Sequence, residues 1–142
     1  MTFIRRSMAA LLVLTAVCAA SACAQVTTAK PKAMAGDPII QDRPLSAWIA
    51  DLGAQAPYTR VAAAYAVGYG GPAAKPAVPA LIENLSSESG PVRYSSTLAL
   101  GEIGPDAAAA VPALQKLLDD RNDDVAAMAK KSLKLITGEA VE

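Results

Sequence analysis

Apolar residues recur at helical spacing from Leu45 to about Ile136, and Gly and Pro interrupt them at regular intervals. Leu81 and Leu85 stand four apart, as do Leu114 and Leu118, which puts each pair on one face of a helix. The pattern predicts a first helix over about Tyr58 to Val67, ended by Gly68 and Gly71-Pro72. A Gly accepts positive φ after a helix, and a nearby Pro cannot continue one. A second helix is predicted from Val78-Pro79 to about Ser86, with Pro79 in the first turn, where its missing amide hydrogen has no partner to lose.

The whole arrangement returns 33 residues later. Residues 60–92 and 93–125 share 13 of 33 positions, among them Arg60/Arg93, Ala66/Ala99, Gly68/Gly101, Gly71/Gly104, Pro72/Pro105 and Leu81/Leu114. A fixed period of roughly 20–50 residues marks a stacked array in which no unit can bury its apolar face alone. Shifting the register outward places Ala47, Ile49 and Leu52 on Ala80, Ile82 and Leu85, with Trp48 in the place of Leu81. Residues 45–52 therefore read as a lone second helix, and 123–137 as a lone first helix. The expected fold is all-α, with about six antiparallel helices over residues 44–138.

The half-units have the character of caps. Asp123 and Asp124 open the last helix and Lys130, Lys131 and Lys134 lie toward its end, which complements the helix dipole. Trp48 puts a large side chain where the full units carry Leu, and so covers more of the other end. Composition agrees with close helix packing: the chain is 53% apolar but only 4% aromatic. Its repeat unit is rich in Ala, which favours helix and lets neighbours approach closely.

Upstream of the repeat the pattern changes. Arg5 and Arg6 precede an apolar run from Met8 to Ala20 that ends in small residues, the order of a secretory signal peptide. We expect a signal peptide at 1–24, a flexible linker at 25–43, the repeat domain at 44–138 and a tail at 139–142. Ala22-Cys23-Ala24 fits ordinary cleavage after Ala24, whereas Ala20-Ser21-Ala22-Cys23 resembles a lipobox that lacks its usual Leu. The expected address is the bacterial periplasm, with a membrane-anchored lipoprotein, lipidated at Cys23, as the alternative. Only the Arg5-Arg6 pair fits a twin-arginine signal.

Both cysteines lie in this leader and the chain has no His, so the commonest general base and thiol routes to catalysis are missing. Removal of Arg5 and Arg6 leaves 11 basic against 13 acidic residues, and a net charge of −2 makes no electrostatic case for nucleic acid. No cofactor and no metal is expected. The run Asp119 to Asp124 lacks the Gly and Glu of a calcium loop, having Val125 and Lys131 at those positions, so it reads as a solvated turn with helix-capping residues. Glu102 reads as a surface or inter-repeat contact. Tyr65 aligns with Leu98 and is expected in the core, leaving Tyr58, Tyr69 and Tyr94 as the tyrosines nearest to binding anchors.

The strings Arg93-x5-Ala99-Leu100-Gly101-x-Ile103-Gly104-Pro105 and Ala110-Val111-Pro112-Ala113-Leu114 resemble the HEAT repeat, in the short class named after phycobilisome lyases. The resemblance covers about Leu45 to Ile136. It implies an armadillo-like, right-handed α-α superhelix with second helices lining the inner face, and it implies that Arg60 and Arg93 hold neighbouring repeats together. Ala126 replaces that Arg in the last unit.

If second helices line an inner face, the residues beside the buried leucines point onto it: Asp51, Glu83, Asn84, Gln115 and Lys116. The expected function is an exported, non-enzymatic scaffold binding an unidentified protein of the cell envelope through that surface. The alternatives are a lyase-like enzyme or assembly factor, suggested by the family's name, and a purely structural repeat module.

Overall fold

The computed structural model describes residues 36–139. Among these described residues six α-helices follow one another: α1 Leu45–Leu52, α2 Pro57–Tyr69, α3 Val78–Asn84, α4 Gly90–Ile103, α5 Val111–Lys116 and α6 Asp123–Thr137. The expected signal peptide, residues 25–35 of the expected linker, Cys23 and residues 140–142 of the tail lie outside the described residues.

The helices form two layers. The first helices α2, α4 and α6 stack side by side, and each second helix packs on the first helix that follows it, α1 on α2, α3 on α4 and α5 on α6. Val67, Leu100 and Leu133 recur at a 33-residue step on the first helices, and all three are buried with Leu52, Leu81 and Leu114 of the second helices. Burial of each such side chain is worth roughly 1.5–3 kcal/mol, and no single helix pair has a partner for its second face without the neighbouring unit.

The two glycines of each unit do different jobs. Gly71 and Gly104 have φ of 52° and 73°, a region that suits Gly, and there the chain turns into the seven-residue 3₁₀ segments 71–77 and 104–110. Gly68 and Gly101, in contrast, lie inside α2 and α4, so the expectation that Gly68 ends its helix is corrected. A Cβ on Gly101 would stand 2.6 Å from Ser132 Oγ and 3.2 Å from Ser132 Cα, and one on Gly68 would stand 3.4 Å from Ala99 Cα. Each Gly faces the small residue found 31 positions later on the next first helix, so the pair sets how closely the layer packs.

A short hairpin covers the α1 end. Strands β1 (Ile39–Ile40) and β2 (Arg43–Pro44) pair antiparallel, and the turn residues Gln41 and Asp42 both have positive φ, as a two-residue hairpin loop with right-handed twist requires. Residues 39–43 of this hairpin fall in the segment expected as linker, and they pack on the repeat domain. Trp48 donates from Nε1 to the Ile40 carbonyl at 2.9 Å, and the Arg43 guanidinium lies 4.0 Å from the centre of the Trp48 ring. Asp37 accepts from the Ser46 amide at 3.3 Å, which satisfies an amide that Pro44 at the N-cap has no side chain to reach.

Candidate functional site

Repeat-to-repeat geometry is held by an arginine. Arg93, in the first turn of α4, donates from Nε and Nη2 to Asp120 at 2.8 and 2.7 Å, and from Nη1 to the carbonyls of Ser87 and Glu88 at 2.8 and 3.1 Å. It thereby ties the loop before α4 to the loop after α5. Both side chains are only 6% exposed. The Arg93 hydrogen bonds hold the Asp120 carboxyl below the usual range against the opposing effect of burial, and the Asn122 amide and the charges of Arg93 and Arg121 add to the lowering. Asp120 is therefore a buried ion-pair partner, which corrects the reading of the whole 119–124 run as a solvated turn. Its neighbour Asn122 caps α6, accepting from the amides of Asp124 and Val125.

Arg60 occupies the equivalent place in the preceding unit without an equivalent partner. Ser87 stands where the next unit has Asp120, and the Arg60 Nε is buried with no hydrogen-bond partner. Its Nη1 reaches Asn84 Oδ1 at 3.4 Å, and Asn84 in turn donates to the Leu52 carbonyl at the end of α1 at 3.0 Å.

The five residues expected on the second-helix face do not come together as one surface. Asn84 is 5% exposed and holds α1 to α3, which removes it from any binding face. Its position in the next unit is taken by the buried Leu117, so the side of α3 that Asn84 occupies is an interior side. Asp51 is half-buried and accepts from Arg43 at 2.9 Å. Glu83, Gln115 and Lys116 are exposed.

The tyrosines define a different face. Tyr58, Tyr65 and Tyr69 on α2 are 83%, 41% and 80% exposed, so Tyr65 is not the core residue its alignment with Leu98 suggests. Their spacing of seven and four residues puts them on one side of the helix, a signal present in the sequence that comparison between units obscured. Two grooves meet this row at Tyr65. One, of about 460 Å³, runs between α2 and α4 past Tyr65, Tyr69, Leu98 and Glu102 over Gly68 and Gly71. The other, of about 640 Å³, lies between Tyr65, Val61, Tyr94 and the α6 residues Met128 and Lys131. Tyr65 borders both, so the grooves adjoin across its ring.

Paired helices stacked in two layers, with one 33-residue step relating the buried positions, define an α-helical repeat scaffold. The chain belongs to the HEAT-repeat family: the family model for HEAT repeats matches residues 45–134, from the first residue of α1 into α6. Among curated proteins no match is found.

Proposed function

We propose that this protein is an exported, non-enzymatic HEAT-repeat scaffold that binds a protein of the cell envelope through the first-helix face bearing Tyr58, Tyr65 and Tyr69. The observation that carries the reading is a row of three exposed tyrosines on one side of α2, of which Tyr65 borders two adjoining grooves and Tyr69 one of them. Tyrosine buries a large amphipathic surface with little loss of side-chain freedom and is enriched among residues that dominate binding energy. The second-helix residues Glu83, Gln115 and Lys116 offer no such anchor. Asp120 and Arg93 hold each other, so neither group of that pair is free to meet a ligand.

A photo-crosslinking residue at Ala62, exposed on α2 between Tyr58 and Tyr65, tests the face while leaving the tyrosines intact. In cells that make the protein natively, a discrete protein adduct is expected from Ala62 and none from the same group placed at Gln115. Adducts from Gln115 alone would move the binding face to the second helices. The adduct at Ala62 should fall at least about ten-fold when Tyr58 and Tyr69 are both changed to Ala, given the 2 kcal/mol or more that such anchors carry.

A further inference from the structure

We infer that the groove between Tyr65, Tyr69 and Glu102 receives a cationic side chain, Arg or Lys, of the protein partner. The inference rests on the first-helix face being the binding face, and it specifies what that face selects. Tyr65 and Tyr69 are four residues apart on α2 and present their rings to one groove, while Glu102 enters it from the end of α4. Gly68 and Gly71 line it with no side chain, and Ala64, Leu98 and Ala99 complete an apolar lining. Such a lining accepts the methylene stem of Lys or Arg. The tyrosine rings and the carboxylate then meet the charged head, through cation–π attraction and a charge-assisted hydrogen bond.

Charge settles which kind of side chain fits. Glu102 is exposed and makes no hydrogen bond or ion pair with any described residue. No basic residue lines this groove, and the nearby Lys75 is engaged by Asp106 at 3.0 Å. An acidic side chain in the groove would be repelled, and an apolar one would strip water from Glu102 with nothing in return. The adjoining groove differs: it carries both Asp124 and Lys131 around Val61, Tyr94 and Met128, so it does not select a sign. The partner's cation therefore belongs beside Tyr69 and not at the α6 end.

The experiment uses the ¹⁵N-labelled protein and two probes, the tripeptide N-acetyl-Ala-Arg-Ala-amide and the same peptide with neutral citrulline in place of arginine. The arginine peptide is expected to shift the amides of Gly68, Tyr69 and Glu102 with a Kd on the order of 1–10 mM, and the citrulline peptide to bind at least about five-fold more weakly. Glu102→Gln, an exposed change that leaves the fold intact, should bring the arginine peptide down to the citrulline level. Equal binding of the two peptides, arginine binding unaffected by Glu102→Gln, or no shift at these amides by about 20 mM peptide overturns the inference. The crosslink at Ala62 reports on the face separately. An adduct there together with equal peptide binding rejects the cationic slot and leaves the binding face standing.

Discussion

Arg93 grips Asp120 through two parallel hydrogen bonds of 2.8 and 2.7 Å, across 27 residues of sequence and almost out of contact with water. Two-point geometry of this kind is specific to a guanidinium and a carboxylate. Asp120→Asn keeps the shape and one acceptor but leaves the buried cation without its counter-charge, and should cost about 2 kcal/mol in urea unfolding at pH 7. Because folding lowers the Asp120 pKa, its contribution is complete above the unfolded value of about 3.9 and is lost as pH falls through the lower folded value. The difference in melting temperature between wild type and Asp120→Asn should therefore be constant from neutral pH down to about 5 and shrink below about 4. A difference that stays constant down to pH 2 would deny the ion pair this role.

The incomplete copy of the same device can be completed. Ser87 holds the register position of Asp120, and the two share a turn: Ser87 Oγ accepts from the Ser89 amide at 3.3 Å as Asp120 Oδ1 accepts from the Asn122 amide at 2.9 Å. Ser87→Asp should keep that turn and offer a carboxylate to the partnerless Nε of Arg60. The expected gain is about 1 kcal/mol, or roughly 5 °C in melting temperature for a domain of this size. The gain should vanish when Arg60→Met is added, which separates a new ion pair from a change in the turn alone.

The periodic residues made most of the architecture legible. Leu45–Leu52 and Asp123–Thr137 are helices at the bounds that the 33-residue shift predicts, because a buried position imposes the same apolar demand in every unit. The misreadings arose where aligned positions have unequal surroundings. Among the described residues no first helix precedes α2 to cover Tyr65, which is exposed although Leu98, its counterpart on the central α4, is half-buried. Asn84 is polar yet interior because an unpaired carbonyl at the end of α1 and an arginine lie within its reach, a condition that depends on three separate segments. The hairpin at Ile39–Pro44 carries only two residues per strand, too few for alternation to show.

Export makes a claim on covalent structure. If the charged, apolar and small-residue order of residues 1–24 directs secretion, mass spectrometry of protein from its native cells should find an N-terminus at Gln25, or a lipid-modified Cys23. An intact Met1 on the bulk of the protein would overturn the envelope address, and with it the class of partner proposed for the tyrosine face.

The glycines inside the first helices should respond unequally to a methyl group. Alanine at either site gains up to about 1 kcal/mol in helix propensity over Gly. At Gly68 the new Cβ would stand 3.4 Å from Ala99 Cα, an ordinary contact, so Gly68→Ala should leave the melting temperature nearly unchanged or slightly raised. At Gly101 the nearest atoms are the Oγ, Cβ and Cα of Ser132 at 2.6, 3.0 and 3.2 Å, and the last is backbone that cannot rotate away. Helix α6 must then move off α4, stretching the 2.8 Å hydrogen bond from Ser132 Oγ to the Thr97 carbonyl. Such overpacking costs roughly 1–3 kcal/mol, so Gly101→Ala should lower the melting temperature by about 5–10 °C. Adding Ser132→Gly restores space at the contact and should recover part of the loss. Equal tolerance of Ala at Gly68 and Gly101 in thermal unfolding would show that the α4–α6 approach does not depend on the missing side chain.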